Sequence, residues 1–428
     1  MTADLDSVDL DRGPNLDLEQ DLDLDAVRAQ FPALSSDWAF FDNAGGSLPT
    51  RGVVEAARRH MERFPVQLGA SYRVSQEAAE RVEDGRRAVA AWIHADPGEI
   101  ILSASTTANV SLLARAISAS WPAGSEVVMT DLDHEANAAP WRRLGDGAGD
   151  IRVKAWRPRE SGRLELEDLE ALLTERTRLV AVTHCSNLIG EIVDVPAIAR
   201  LAHAAGSLLC VDGVAYAPHA RVDVRSLGAD FYVFSAYKTY GPHVGVMWGR
   251  RHLLEDLAGQ NHPFITALPS KLEPGGTNYE LVSALPAIVD YLASLGDPAA
   301  ADPGGGDLSA RLDRAFARIS RHEEALQTRL LDFLNGRRGV RVHGPSTGDR
   351  ARRVPTISFS LEGQRSQDLP PGLDAQKIAV RWGHFYAPNA VRALGLSADD
   401  GVVRVSMVHY NTLEEVDRLI AALDPLLP

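Results

Sequence analysis

The stretch FYVFSAYKTYGPHVGVMWG, residues 231–249, places a single lysine, Lys238, on a short polar turn between two apolar runs. Runs as apolar as these are typical of strands that are buried on both faces of a sheet. Gly241 and Pro242 predict a tight turn between the two strands. The pattern therefore sets a long, flexible cation on a rigid turn at the end of a buried strand, which is where sheets of this kind bind ligands.

The composition is that of an ordinary globular protein. The chain has 428 residues, of which 45% are hydrophobic and 24% charged, enough for two or three domains. The net charge is −14, and no cluster of Lys and Arg provides the basic surface that nucleic-acid binding requires. Residues 1–30 hold nine acidic residues against two arginines and no aromatic residue, so we expect a flexible acidic N-terminal segment.

The two cysteines give no sign of a metal site or a disulfide framework. Cys185 and Cys210 each lie inside an apolar run, which is typical of small buried side chains, and no zinc-ligand spacing occurs. We find no basic-then-apolar signal peptide and no apolar stretch of 18 residues. These features predict a soluble cytoplasmic protein that binds no metal and no membrane.

Short apolar runs alternate with amphipathic stretches over the first three hundred residues, which predicts an α/β fold with a mostly parallel sheet covered by helices. Helices are predicted over 107–118 and 195–205. The predicted strands are Ile100–Ser103, Glu126–Thr130, Leu179–Thr183, Leu208–Val211, Phe231–Phe234 and Val244–Trp248.

A second pattern follows the Pro/Gly-rich stretch DPAAADPGGGD, residues 297–307, which is typical of a linker. We therefore expect a large domain at 31–296, with its first residues packed against a smaller α+β domain at 308–428. A long helix over 308–334 should open the smaller domain, and a capping-box pattern at Thr412 and Glu415 should begin its last helix. Its predicted strands are Val340–His343, Thr356–Leu361, Ile378–Arg381 and Val402–Val408.

Polar residues follow five of the predicted strands, at the sheet edge where open α/β folds bind ligands. They are Thr106, Thr107, His134, Asn187, Asp212, Ser235 and Lys238. Threonines at a helix N-terminus can bind a phosphate, and a carboxylate can keep a pyridine nitrogen protonated. A partly desolvated lysine can form a Schiff base with an aldehyde. The set therefore fits a phosphorylated pyridine aldehyde, with His134 stacked on its ring and Asn187 bonded to its phenolic oxygen.

Each of these residues taken alone also has an ordinary structural explanation. Asp212, Thr106 and Thr107 could be helix caps, His134 a satisfied loop histidine, and Lys238 a surface residue. Only the joint order, with the lysine 26 residues after the aspartate, favours the cofactor site. Dinucleotide and nucleoside triphosphate sites are not indicated, because neither of their glycine-rich motifs occurs.

Over residues 38 to 424 the chain resembles pyridoxal-phosphate enzymes of fold type I, in the class V aminotransferase group and its cysteine desulfurase-like branch. The motifs that carry this resemblance are FFDNAGGSLP, SASTTANVSLLARAI, DLDHEANAAPW, THCSNLIGEIVDV, LCVDGVAYAPH, ADFYVFSAYKTYGPHVGVMWG, GGTNYE, KIAVRWGHFYA and VVRVSMVHYNTLEEVDRLI. The resemblance implies pyridoxal 5′-phosphate as cofactor, an amino-acid-like substrate and a homodimer with shared active sites.

The resemblance also implies a role for each matching residue. Lys238 would bear the cofactor, Asp212 would pair with its ring nitrogen, and His134 would stack on the ring. The remaining implied cofactor-binding residues are Asn187, Thr106, Thr107, Ser235 and Tyr237, with Thr277 reaching the phosphate of the neighbouring subunit. Arg404 would bind the substrate carboxylate, with Arg381 as second candidate, and the candidate substrate pocket adds Asn43, Tyr72, Arg73 and Tyr386.

Three departures from the family pattern bear on the reaction. Tyr386 stands where persulfide-forming members carry a loop cysteine, Ala215 replaces a Gln or His, and Tyr237 replaces a His before the lysine. A proline pair at 370–371 also interrupts the helix expected before the active-site loop. Since tyrosine cannot hold a persulfide, the sequence argues against sulfur transfer through the protein.

The sequence therefore predicts a lyase or transferase that acts at Cα of an amino acid or an amino-acid-bearing metabolite, with β-elimination or C–S cleavage as the favoured outcome. An epimerase, an aminotransferase or a desulfurase-like protein without a persulfide relay are the alternatives within the family. A non-catalytic scaffold that merely keeps the fold is a further alternative, against which the intact set of Lys238, Asp212, His134 and Asn187 argues.

Overall fold

A computed structural model describes residues 22–147, 150–297 and 307–427 of the chain, so most of the acidic N-terminal segment and of the predicted linker lies outside the described residues. The strands, in chain order, are β1 Ala39–Phe40, β2 Ile100–Ser103, β3 Glu126–Thr130, β4 Arg152–Trp156, β5 Thr177–Thr183, β6 Leu208–Asp212, β7 Phe231–Ser235, β8 Gly245–Gly249, β9 Val340–His343, β10 Thr356–Leu361, β11 Ile378–Ala379, β12 Arg381–Gly383 and β13 Val402–Ser406.

The α-helices are α1 Leu24–Ala29, α2 Arg51–Arg63, α3 Arg73–Trp92, α4 Thr106–Ser118, α5 Glu135–Gly145, α6 Leu166–Leu172, α7 Val195–Ala204, α8 Arg251–Asp256, α9 Tyr279–Val282, α10 Leu285–Gly296, α11 Leu308–Asn335, α12 Pro370–Asp374, α13 Pro388–Ala393 and α14 Leu413–Leu423. None of the helices in the described ranges is both long and apolar enough to cross a membrane.

Seven strands form the large sheet in the order β2-β8-β7-β6-β5-β3-β4. Strands β7, β6, β5, β3 and β4 pair in parallel, while β8 runs antiparallel to both β7 and β2. Helices cover both faces, so β6, β7 and β8 are almost wholly buried and occur in the sequence as unbroken apolar runs. The predicted α/β fold with a mostly parallel sheet is confirmed.

Strand β4, at the edge of the large sheet, was not among the predicted strands. Its residues change from exposed Arg152 to buried Trp156 and include a lysine, so no apolar run marks it. An edge strand is half solvated, and charged residues along it also discourage pairing with other chains.

The smaller domain contains an antiparallel sheet in the order β12-β13-β10-β9, with α11 and α14 packed on it. Thr412 and Glu415 form the predicted capping box at the start of α14. The single strand predicted over 378–381 is in fact two strands. One, β11, pairs with β1, whereas β12 pairs with β13, so this segment leaves one sheet and joins another at Arg381, the first residue of β12.

The long helix α11 connects the cores of the two domains. Leu312 and Phe316 pack in the core of the large sheet, whereas Leu326 and Leu330, further along the helix, pack in the core of the small one. A shared helix of this kind limits independent movement of the domains, because bending it would expose apolar side chains to water.

The N-terminal segment enters the fold earlier than the sequence indicates. Leu22 and Val27 are buried in the core of the large domain, and Arg28 forms an ion pair with Glu415 at 3.0 Å. Residues 22–30 are therefore part of the packed body, contrary to the expected flexible segment through residue 30. The acidic composition of the segment gave no sign that Leu22 and Val27 are buried, because the net charge of a segment does not show which of its residues face a core.

A substitution at Phe31 tests how the N-terminal part of the chain packs against the two domains. Its ring lies 4.6 Å from that of Tyr410 and 5.4 Å from that of Tyr291, in an aromatic cluster that joins the N-terminal segment to both domains. Substitution Phe31→Ala should lower the free energy of unfolding by about 3–5 kcal/mol, because it leaves a cavity in this cluster. Urea denaturation measures the change.

The control is Phe264→Ala, the same substitution at a side chain that is 81% exposed. It should change the free energy of unfolding by less than about 0.5 kcal/mol. Equal effects at the two positions would show that the N-terminal segment does not contribute to the core.

Candidate active site

The carboxyl ends of β3, β5, β6 and β7 meet at one edge of the large sheet, and β2 ends there too because β8 reverses between it and β7. The structure brings the seven polar strand-end residues together at this edge. With Tyr237, they line an inner cavity. A wider outer cavity adjoins it and shares Thr107, His134, Asn187, Tyr237 and Lys238 with it.

The start of α4 forms an anion-binding cradle. The Oγ1 atom of Thr106 lies 2.6 Å from Oγ of Ser235, and the side chain of Ser105 caps the helix. The first backbone N–H groups of a helix have no partner within it, so they and the hydroxyls are available to a phosphate. Strand β8 passes close to this helix start, since a Cβ on Gly245 would lie 2.2 Å from the carbonyl carbon of Ser105.

The strand-end acid and lysine are both buried, and burial shifts their pKa values in opposite directions. Asp212 accepts a hydrogen bond from the backbone N–H of Val214 at 2.9 Å, and burial raises the pKa of Asp212 to about 6. Lys238 is only 7% exposed, and burial, reinforced by the positive charge of Arg404, lowers its pKa to about 8. A substantial fraction of this amine is therefore neutral, and nucleophilic, slightly above neutral pH.

His134 offers a neutral ring to the cavity. It caps α5 by accepting a hydrogen bond from the backbone N–H of Ala136 on Nδ1 at 2.9 Å, so a neutral ring carries its proton on Nε2. Burial lowers the pKa of His134 to about 3, and the charge of Lys238 acts in the same direction. An uncharged imidazole in this position suits stacking on an aromatic ring.

Asn187 has an unused hydrogen-bonding atom at the cavity. Its Nδ2 donates to the carbonyl of Phe385 at 2.9 Å, while its Oδ1 is buried and has no hydrogen-bond partner among the described residues. An unpaired buried acceptor is costly, which indicates that a ligand atom completes the bond.

The two candidate carboxylate-binding arginines line the outer cavity. Arg404 is only 2% exposed, donates to the carbonyl of Asn187 at 3.0 Å and stacks its guanidinium 3.7 Å from the ring centre of Phe385. Burial lowers the pKa of Arg404 to about 10, so it stays protonated near neutral pH. Arg381 is half exposed, and both guanidinium groups bond to Asp42.

Four other predicted site residues line neither cavity in the single chain. The amide of Asn43 bonds to Tyr410 and Asn411 and so anchors the two domains. Tyr72 and Arg73 are exposed at the start of α3. Thr277 lies in the loop before α9, and its expected partner belongs to another subunit, so its role stays a prediction.

Other cavity residues were not predicted. Thr183 and Cys185 line the inner cavity, and Glu135 and Arg143 line the outer one, as does Phe385. Two of them directly neighbour residues that the sequence did single out, since Glu135 follows His134 and Phe385 precedes Tyr386. Cys185 lies two residues after the end of β5. Arg143 carries no such sign, because it comes from the third turn of α5.

These contacts fit a phosphorylated pyridine aldehyde. The cradle of Thr106, Thr107 and Ser235 would hold its phosphate, Asp212 its ring nitrogen and Lys238 its aldehyde carbon. The fit rests on the unpaired Oδ1 of Asn187 and on the hydroxyl groups at the start of α4, against which β8 packs closely at Gly245. No cluster of His, Cys, Asp and Glu in the described ranges has the arrangement of a metal site.

The model of the family "Aminotransferase class-V" matches residues 39–304 and 307–419. The chain is 40% identical over 415 residues to "Aminotransferase-like protein FGM3" of Gibberella zeae, covering 94% of this chain and 98% of that protein. It is 34% identical to "Cysteine desulfurase-like protein ustD" of Aspergillus flavus, covering 100% of this chain and 98% of the relative.

The fold is similar to that of a solved cysteine desulfurase from Thermococcus onnurineus NA1 in its apo form, with a TM-score of 0.82. The two chains are 26% identical, and the similarity covers 94% of this chain and 98% of the other.

The buried amine makes the stability of the cofactor-free protein depend on pH. The pKa of Lys238 falls from 10.5 to about 8 on folding. Between pH 8 and pH 10.5 the unfolded chain therefore keeps a proton on this lysine that the folded chain loses. The charged lysine should therefore destabilise the fold by roughly 3 kcal/mol below pH 8, and this cost should vanish as the pH rises towards 10.5.

Replacement Lys238→Met should accordingly stabilise the cofactor-free protein at pH 7, with a smaller gain at pH 10, as measured by urea denaturation. The replacement Lys377→Met, at an exposed lysine paired with Asp37, should show no such gain at pH 7. A gain for Lys238→Met that does not change with pH would contradict the burial of a titrating amine.

Gly245 should be essential to the cradle. Substitution Gly245→Ala should displace the start of α4 and weaken cofactor affinity at least tenfold, since its Cβ would overlap the backbone of Ser105. Gly259→Ala is the matched control, because no atom lies within 4 Å of a Cβ at that position. Cofactor affinity is measured by titrating the cofactor-free proteins and following absorbance, and unchanged affinity in Gly245→Ala would disprove the cradle.

Proposed function

The chain belongs to the class V aminotransferase family, and on that premise we propose that it uses pyridoxal phosphate to break the Cβ–S bond of a sulfur-bearing amino acid. The observation that carries this proposal is the combination of a buried amine, Lys238, with a large outer cavity that presents Tyr386 in place of a thiol. The family is one of pyridoxal-phosphate enzymes, and its cysteine desulfurase-like branch is the part that the chain resembles.

The cofactor, when bound, supplies an electron sink for the electron pair left on Cα after a proton is removed. The proton must go to a neutral base, and Lys238 is suited to this role because burial lowers its pKa to about 8. Asp212 suits the ring nitrogen, since a buried carboxylate next to that nitrogen stabilises its protonated, positively charged form.

Arg404 and Arg381 line the outer cavity, and in the proposed reaction they bind the substrate α-carboxylate. Arg404 is held rigidly by the carbonyl of Asn187 and the ring of Phe385, so it loses little freedom on binding. A substrate anchored by its carboxylate next to Lys238 would extend its side chain into the outer cavity that Tyr386 lines. The outer cavity is open to solvent on one side, so a substituent larger than that of cysteine itself has room to extend from it.

The proposed reaction needs no protein thiol. The proton leaves Cα for Lys238, the Cα–Cβ double bond forms, and the bonding electrons of Cβ–S leave with sulfur, which takes up a proton. Hydrolysis of the resulting enamine gives pyruvate and ammonia, so one water is consumed for each thiol released.

The cysteines support this choice over sulfur transfer. Cys185 and Cys210 are both fully buried, and burial raises the pKa of both thiols. The thiol of Cys185 donates to the carbonyl of Gly190 at 3.2 Å, which removes it further from the nucleophilic thiolate form.

A homodimer is the proposed assembly. In the family pattern, Thr277 belongs to the phosphate site of the neighbouring subunit, and in this chain it lies on a loop away from its own cavity. The cytoplasmic location stays a prediction from the sequence.

The direct test is incubation of the holoenzyme with a series of S-substituted cysteines. We expect pyruvate and the corresponding thiol in equal amounts, and loss of both in Lys238→Ala. Release of neither product, together with exchange of the Cα proton in deuterated water, would instead support an epimerase. Formation of a keto acid without thiol would support an aminotransferase. Formation of alanine from cysteine, with the sulfur passed as sulfane sulfur to an added thiol, would support a desulfurase-like reaction.

Tyr386 should act through its ring more than through its hydroxyl. The ring lies 5.4 Å from that of His134 at the cavity, while the side chain is 64% exposed. Tyr386→Phe should retain kcat/KM within about threefold, whereas Tyr386→Ala should lower it at least tenfold by removing a wall of the cavity. Steady-state kinetics of thiol release measure both, and a large loss in kcat for Tyr386→Phe would assign the leaving-group proton to the phenol.

A further inference from the structure

The two arginines of the outer cavity are direct cross-strand neighbours. In the antiparallel pair β12–β13, Arg381 stands opposite Arg404. Like charges directly opposite one another in a sheet repel and destabilise the pairing. Such a pair therefore needs a negative charge close by, either from the protein or from a bound anionic ligand.

Asp42 supplies this anion from the N-terminal part of the chain. It follows β1, which pairs with β11, and it also pairs with Ser406, two residues after Arg404. The backbone pairing therefore places Asp42 between the two arginines. Its Oδ1 lies 2.9 Å from Nη2 of Arg404 and its Oδ2 lies 3.2 Å from Nη1 of Arg381, so each oxygen binds one guanidinium.

This arrangement sets the charge that a substrate carboxylate meets. Two guanidinium groups and one carboxylate leave a net charge of +1 at the place where the α-carboxylate should bind. The Nε atom of Arg404 is buried and has no hydrogen-bond partner in the described part of the chain. Arg404 thus retains an unused donor, although Asp42 already neutralises part of its charge.

The other charged groups of the outer cavity lie on different elements. Glu135 is bonded to Arg142 at 3.0 Å, Arg143 lines the cavity from the same helix, and Lys238 lies at its floor. Substitutions of Asp42 or Arg381 leave these residues in place, but the charges of Asp42 and Arg381 also act on the amine of Lys238. Differences in anion affinity between such variants therefore report on the three-residue cluster together with that amine.

We propose that Asp42 is a specificity-determining residue that limits the affinity of the enzyme for carboxylates by competing with them for Arg404 and Arg381. The inference rests on the proposed amino-acid substrate and adds how its carboxylate is selected. A fixed carboxylate behind the two guanidinium groups repels an incoming one, so binding is weak enough for a carboxylate product to leave. Tighter ground-state binding would not by itself accelerate the reaction.

The test is a charge series on the holoenzyme, with propionate as the probe and propionamide as its uncharged match. Asp42→Asn raises the cluster charge to +2, Arg381→Gln lowers it to 0, and the double variant restores +1. We expect propionate to bind roughly tenfold tighter to Asp42→Asn than to the natural protein, and roughly tenfold weaker to Arg381→Gln. The double variant should match the natural protein within about threefold. Ligand-observed NMR titration measures these affinities without reference to turnover.

Propionamide should not distinguish the four proteins, which separates an effect of charge from one of general disruption. Asp42→Asn leaves two opposed arginines unpaired, and this variant could fail to fold. In that case the comparison of Arg381→Gln with the double variant still shows whether removal of Asp42 tightens propionate binding. Equal or weaker propionate binding after removal of Asp42 in either background would overturn the proposal. Absence of propionate binding to all four proteins would overturn the amino-acid substrate as well, whereas a failed β-elimination assay alone leaves the charge series unaffected.

Discussion

The site depends on one constraint, which is that the amine of Lys238 is kept out of water on a turn held by hydrogen bonds. Ser47 fixes that turn from both sides, because its hydroxyl donates to the carbonyl of Tyr237 at 3.2 Å and accepts from the N–H of Tyr240 at 2.7 Å. Tyr240 adopts a φ of 67°, which is unfavourable for a residue with a side chain and persists only where neighbours determine the backbone. Rigidity and desolvation together give the lysine its lowered pKa and its defined direction.

Neither domain forms the site alone. The large domain provides Lys238, Asp212 and the helix start at Thr106, while the small domain provides Arg404 through β13. Asn187 joins the two parts, since its side chain bonds to the carbonyl of Phe385 and its own carbonyl accepts from Arg404. The unpaired oxygen of the same side chain faces a site that is incomplete without a ligand.

Oppositely charged side chains lie close together in both parts of the site, and Asp212, Lys238 and Arg404 among them are buried. Asp212 stands near Lys238 at the inner cavity, and Asp42 stands between two arginines at the outer one. Burying charged groups is costly unless they are paired, and in both places the pairing is incomplete in a way that a substrate or cofactor could complete. This pattern connects the proposed cofactor role of Asp212 with the proposed selection of carboxylates by Asp42.

The sequence by itself determined the central sheet and its polar edge. Strands buried on both faces must be apolar throughout, and the residues that follow them must lie at one edge of a parallel sheet, so the order of residues along the chain is enough to group Lys238, Asp212, His134 and Thr106. Only the tertiary structure decided the rest. Asp42 lies between Arg381 and Arg404 because three distant segments pair there, and Asn43 anchors the domains instead of facing the pocket. Contacts of this kind depend on strand register between segments more than three hundred residues apart, and no local periodicity records them.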